Sequence, residues 1–560
     1  MSLVIAISLL CVVAAASPAV TAQMPNTPGG QIGGEAGIER AMSLFRAWEE
    51  AYGLKPDIDL PPEKVTLPLS VPPAPHLEDC AALTAVRKAS EQRGANGESP
   101  MWARPANCCG CNPQPPWLRG SDADNLPLTR VVQRDLWEYQ LFHGSCEGRR
   151  LLVVPWSTGK LHGVGSQVHV TSAFLSLAMI HNRTLVPQPG SYDRAFTQAC
   201  NATNTSGSWD CFFFPIVNPD CERIAAEMAA NGTLPTCSTD DKGHDRVAAS
   251  ADPVVCLNSN VDKQMGYESR AATLWGKAYA ASPDVVEFMG QLPRTDDKYQ
   301  MLHWWRSQSV RFMLRWPSAH MCHATNKERH TAYGLHTASH LARYSETQVE
   351  IVRAVVGDSA VNISESDEAK RLLGITFAPP GNIETQVWGI KGYAGCNETC
   401  MGAADAKALR DTYVAVGGEP FVVRPIVSVH VRQSDKGIEM RLSSFASHMF
   451  FAHRLRRYAP DLRYVWLNTE MESVIQESTT YPDWKFLYSS NSRQPIDAKS
   501  NREYEFSQSV AASFASAIIA SQCDYFVGAL GSNWSRLINE LRATNGRLLN
   551  GFIAINMGDW

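Results

Sequence analysis

From Arg424 onward, short apolar runs alternate with amphipathic stretches. The runs PIVSVHV (425–431), RYVWLN (463–468), KFLYSS (485–490), DYFVGAL (524–530) and GFIAI (551–555) are brief and rich in β-branched and aromatic residues, which predicts strands. Between them LSSFASHMFFAHRLRRYAP (442–460), MESVIQEST (471–479), SQSVAASFASAIIASQ (507–522) and NWSRLINELRA (533–543) read as helices. Apolar strands separated by helices predict a parallel sheet covered on both faces. A second such unit starts upstream. LLVVPW (151–156) reads as a strand, GKLHGVGSQ (159–167) as a glycine-containing loop, 167–181 as a helix and TLVPQP (184–189) as the next strand, a βαβ unit.

The rest is less regular. GIERAMSLFRAWEEAYG (37–53) places Ile38, Met42, Phe45 and Trp48 at helical spacing, and LPPEKVTLPLSVPPAPH (60–76) suits a stem or extended linker. Residues 80–145, rich in Cys, Pro and Trp, read as irregular. The segment 200–400 reads as disulfide loops with helices such as WWRSQSVRFMLRWP (304–317) and ESDEAKRLLGI (365–375). The chain thus divides into 1–22, a stem and Cys/Pro-rich region (23–145), an α/β domain (146–415) and a C-terminal Rossmann-like domain (416–560). The 560 residues leave room for about three folded units.

Composition changes the picture in two ways. A net charge of −5 gives no basic footprint and excludes a nucleic-acid partner. The first 22 residues are apolar and uncharged and read as a signal peptide cut after Ala22, or as an uncleaved anchor, the sole route to a membrane. Of 15 cysteines, Cys11 falls in this leader, and the cluster Cys108, Cys109 and Cys111 lacks a second half at zinc spacing, so disulfides are expected. Cys523, at the start of a buried strand, is the expected free thiol. Sequons at Asn182, Asn201, Asn204, Asn231, Asn362, Asn397 and Asn533 add to a reading of a secretory-pathway glycoprotein, with the Golgi lumen as its place.

Candidate chemistry gathers at strand ends. SVHVRQSDKGIE (428–439) ends a strand with His430, Arg432, Asp435, Lys436 and Glu439. Ligands of parallel sheets bind at the carboxyl ends of strands. The Arg432 guanidinium offers a fork of donors for phosphate oxygens. Ser532 and Asn533 open a helix whose free N–H groups suit the same anion. Lys160 with Gly163 and Gly165 forms a second loop that enters a helix and lets backbone approach a ligand. Taken singly, such features also read as a surface ion pair and as tight packing, and His162 and His169 read as structural. Asp122-Ala123-Asp124 lies outside both βαβ regions, and it and the Asp296-Asp297 pair read as surface acids rather than metal ligands.

HVRQSDKGIE resembles the HxRxxDK stretch of the alpha-1,6-fucosyltransferases of the N-glycan core and their Nod-factor relatives. The resemblance continues through YVWLNTE, SQCDYFVG and GALGSNWSRLINEL, and upstream through GKLHGVGSQ and NRTLV. It covers about 135 residues at the C-terminus and about 35 near 155–190. It implies a GT-B-like, two-domain enzyme that transfers fucose from GDP-fucose to a glycan or glycoprotein acceptor without a metal or other cofactor. It further implies that Arg432 contacts the diphosphate and His430 the donor. Lys160, Gly163, Gly165, Ser532 and Asn533 would line the phosphate side, and Asp435 and Lys436 would be the motif's acid and lysine. Glu439, after a one-residue gap, would be the catalytic base, with Asp435 second. Three positions depart from the family: Gln433 stands for a second arginine, Ser516 for an aspartate that reads guanine, and Glu470 is the one acid left of a pair. A fucosyltransferase of protein Ser/Thr or of another polysaccharide is an alternative, distinguished by the acceptor side, the middle region from 209 through 323. A secreted glycan-binding protein that has lost transfer is another.

Overall fold

The structure, a computed structural model, describes residues 34–54, 74, 76–103, 114–120, 122–156, 163–191, 209–238, 247, 250–258, 265–276, 297–342, 420, 422–433, 441–457, 459–490, 493, 503–548 and 552–555. Helices α1 (Gly34–Ala51), α2 (Cys80–Glu91) and α3 (Thr129–Gln140) lead into β1 (Leu151–Val154), α4 (Val164–Ile180) and β2 (Thr184–Pro187). Then follow α5 (Pro219–Ala230), β3 (Val254–Cys256), α6 (Met265–Ala272), α7 (Asp297–Met313), α8 (Ala319–Arg329) and α9 (Leu335–Ala342). The C-terminal half runs β4 (Ile426–Val431), α10 (Phe445–Leu455), β5 (Tyr464–Thr469), α11 (Glu472–Ser478), β6 (Lys485–Leu487), α12 (Glu503–Gln522), β7 (Tyr525–Ala529), α13 (Asn533–Ala543) and β8 (Phe552–Ile555).

Both sheets are parallel, as the alternation predicts. The first has the order β2-β1-β3 and the second β6-β5-β4-β7-β8. All six residues of β4 are buried, because helices cover both faces of the sheet. Val427, Val429 and Val431 fill one side with Phe445 and Met449 of α10. Ser428 and His430 point to the other, where Asn468 and Ser535 satisfy them.

Helix α12 joins the halves. Its small residues Ala511, Ala515 and Ala520 are buried, and Phe514 is wedged between elements of both halves. The Phe514 ring meets Trp209, Phe212 and Phe213 from the N-terminal half at centroid separations of 6.1, 6.1 and 5.0 Å, and Trp534 at 5.7 Å. A single apolar core therefore runs from β1 and α4 to β5 and α13. Helix α4 shows no polar stripe because it is buried nearly all round, between the first sheet and α6, α7 and α13.

Residues 80–145, expected to be irregular, contain two twelve-residue helices. Their buried faces are partly polar, so hydrophobic periodicity does not expose them. Gln133 donates to the Gln308 carbonyl at 2.8 Å and accepts from the Trp117 indole at 3.0 Å. Gln140 exchanges hydrogen bonds with the backbone of Leu185, donating at 3.2 Å and accepting at 3.1 Å. Helix α1 packs its Ala41 and Trp48 with Ala338 of α9.

Disulfides Cys80–Cys322, Cys146–Cys221 and Cys237–Cys256 staple the N-terminal half, as expected for an oxidising compartment. Cys523 is a free, buried thiol, as the sequence reading has it, and burial pushes it up to about 12. The leader, the Cys108–Cys111 cluster, most of the Pro-rich stretch and the helix expected at 365–375 lie outside the described residues. No helix among the described residues is long and apolar enough to cross a membrane.

Candidate functional site

The second sheet reverses its winding between β4 and β7, the innermost pair: from β4 the chain first builds outward through β5 and β6, then returns to β7 and β8. Such a switch point opens a crevice beyond the carboxyl ends of the two strands. Arg432 follows β4 and Ser532 follows β7, so both flank this crevice.

The register that pairs Val431 with Thr469 sets the next residue of each strand side by side. Arg432 Nη1 accordingly lies 2.7 Å from Glu470 Oε1, with both side chains partly exposed. The Gln433 backbone N–H donates to the same oxygen at 2.8 Å, and the Gln433 side chain donates to the Ser443 carbonyl at 3.3 Å. Glu470 thus holds the arginine from the β5 side of β4, and the Gln433 side chain is engaged with Ser443.

His430 is buried, and its Nδ1 lies 2.6 Å from the Ser535 hydroxyl on the first turn of α13. Burial, with Arg432 and His448 close by, pushes its pKa down to about 3, which leaves a neutral ring at physiological pH. Gly528 makes this contact possible. A Cβ there would come 3.0 Å from the Ser535 hydroxyl and 2.7 Å from the Phe526 ring. Ser516 donates to Asn468 Oδ1, and Asn468 donates in turn to Ser428 at 3.0 Å. The Ser516 hydroxyl is therefore engaged within the protein.

From the other half, α4 begins at Gly163 and brings Gly165 against the start of α13. A Cβ at Gly165 would lie 2.9 Å from the Trp534 ring and 3.5 Å from the carbonyl carbon of Asn533. Two helix N-termini, each with free N–H groups, thus converge beside one another. Ser532, buried, is the N-cap of α13. Of the expected site residues, His430 meets the first turn of α13 with Arg432 close by, Gly165 lies against Asn533, and Gly163 and Ser532 cap the two helices. Lys160, Asp435, Lys436 and Glu439 lie outside the described residues.

The sequence reading missed the partners. His169, read as structural, reaches across to Asn533 and to Glu540, and Ser535 anchors His430. A polar residue in a largely apolar helix was the available signal for His169; Glu540 sits in an amphipathic helix with Arg536, Asn539 and Arg542 and gave none. Asn533 also carries a sequon, yet its side chain accepts from His169 or Arg536 inside the contact, whereas Asn182 and Asn231 sit exposed in turns.

Burial also pushes His303, His323 and His330 down to about 4. As pH falls from about 6.5 towards 4, the unfolded chain takes up protons on these rings and on His430 that the folded chain refuses, so stability is lost. Glu222, pushed up to about 8, and Asp210, pushed up to about 6, act in the opposite sense. Four histidines outweigh two carboxyls by roughly two protons near pH 5.5, or about 3 kcal/mol per pH unit. Urea unfolding at pH 7.0 and 5.5 should therefore show a lower midpoint at pH 5.5; an unchanged or higher midpoint would contradict this.

No family model matches the chain, and no curated protein matches it. Among solved structures, a crystal structure of the NodZ alpha-1,6-fucosyltransferase soaked with GDP-fucose aligns over 70% of this chain and 93% of that one. The identity is 11% and the TM-score 0.25, a level of likeness that adds nothing to the geometry above.

Proposed function

We propose that the chain is an inverting glycosyltransferase of the secretory pathway that moves L-fucose from GDP-fucose to a glycan hydroxyl, in an alpha-1,6 linkage on an N-glycan core. The observation that carries this reading is the flanking of the switch-point crevice by Arg432 and the start of α13, with the start of α4 alongside. An arginine fork and two helix N-termini are complementary to a diphosphate, and the charge on that group grows as the sugar leaves. In the proposed reaction a carboxylate, Glu439 first and Asp435 second, removes the proton of the acceptor hydroxyl as its oxygen attacks the anomeric carbon. The bond to the diphosphate breaks on the opposite face, with Arg432 stabilising the departing charge and Lys160 adding to it. No metal is required in this scheme, since side-chain and backbone donors supply the electrostatics.

Engagement of Gln433 with Ser443 and of Ser516 with Asn468 favours a second reading, a glycan-binding protein without transfer. Calorimetry of the secreted chain with GDP, UDP, ADP and CMP separates the two. Preferential binding of GDP supports the transferase and directs attention to the acceptor. Equal or absent binding of all four nucleotides overturns it in favour of the glycan-binding protein.

A further inference from the structure

His169 lies six residues after the Gly163 N-cap of α4, and its ring is 5% exposed. Nδ1 lies 3.2 Å from Asn533 Oδ1, in the first turn of α13, and Nε2 lies 2.8 Å from Glu540 Oε2, two turns further along the same helix. Both ring nitrogens thus face oxygen acceptors, and the ring spans two points of one helix. Asn533 Oδ1 also accepts from Arg536 Nη1 at 3.5 Å. Burial pushes the Glu540 carboxyl up, but His169, Arg306 and His303 together hold it below the usual carboxylate range.

The geometry points to His169 as a positioning residue of the diphosphate subsite. By bridging Asn533 and Glu540 it fixes the second turn of α4 against the first two turns of α13, so that the N–H groups at the starts of both helices face one anion. Among the described residues, the Gly165–Trp534 contact and apolar packing also hold the two helices together, and the bridge adds the polar contact that orients the Asn533 side chain. Glu540 holds the far side of the ring and Asn533 passes the alignment to the backbone that meets the ligand. The inference rests on the proposed donor site, and it concerns the diphosphate and not the base.

The test measures binding of inorganic pyrophosphate, GDP and guanosine to the secreted chain by calorimetry, for wild type, His169→Phe and Glu540→Gln. Misplacement by about 1 Å costs on the order of a hundredfold in a preorganised site. For His169→Phe, pyrophosphate and GDP affinity should fall at least about tenfold, with guanosine binding unchanged. Glu540→Gln keeps an acceptor for Nε2, so it should lose about threefold for the same two ligands. It also serves if His169→Phe is not secreted. A merely structural role would weaken guanosine equally. Wild type that binds GDP, with variants that bind pyrophosphate as wild type does, overturns the inference and leaves the fucosyltransferase standing. Pyrophosphate binding that depends on His169, without preference for GDP, upholds the inference and overturns the donor assignment. Wild type that binds neither pyrophosphate nor GDP overturns both.

Discussion

Arg432→Ala should lower transfer from GDP-fucose by about 10²–10³-fold, the typical loss when one preorganised donor to a developing charge is removed. Arg432 already sits at the crevice, held by Glu470 at 2.7 Å, and its side chain is 24% exposed. It can therefore turn towards a ligand without disturbing the core, and truncation should leave unfolding unchanged. Most of the loss should fall on kcat, because the charge to be met is larger in the transition state than in the bound donor. Arg432→Lys should recover only part, since an ammonium is a point charge and cannot make the paired contacts of a guanidinium. Steady-state kinetics with varied donor checks this. A loss below about tenfold for Arg432→Ala would remove the residue from the transfer step.

The largest stability effect should come from Glu268. It is fully buried, and Arg306 binds both its oxygens, with contacts of 2.8, 3.0 and 3.1 Å. Ser172 of α4 donates to it at 3.0 Å and meets Ser309 of α7 at 2.5 Å. Glu268→Ala strands the Arg306 charge in the core, which should cost about 3–5 kcal/mol. That is a large part of the roughly 5–15 kcal/mol that holds a folded domain together. The double variant Glu268→Leu with Arg306→Met should recover much of the loss, because no charge is then left alone. Urea melts of single and double variants check both statements. A single-variant cost under about 1 kcal/mol would mean that water or another carboxylate reaches Arg306.

Strands β4, β5 and β7 and the helices between them were legible because these strands are buried on both faces, which makes each a run of apolar residues with little else to be; β6 and β8, half-exposed at the sheet edges, were legible as short apolar runs beside them. The arginine was legible for the same reason: charge directly after such a run stands out. Helices α2 and α3 were not, since Gln133, Gln140 and Arg87 are turned inward and find partners on distant parts of the chain, Arg87 at the Pro317 carbonyl. Nor was the importance of His169, whose acceptors lie 364 and 371 residues away. Sequence spacing speaks of one face of one helix; it is silent about which two helices will meet.

The wedge of α12 has a consequence for how such a protein can vary. Phe514, in the half expected to hold the nucleotide, is housed by Trp209, Phe212 and Phe213, in the half expected to meet the acceptor. The halves are therefore not interchangeable parts. A chimaera joined between α9 and β4, with one half from this chain and one from a relative, would set an unfamiliar aromatic pocket around this ring. Change by substitution within the fixed frame leaves this contact intact, and whole-half grafts will fold only when the residues around Phe514 travel with it.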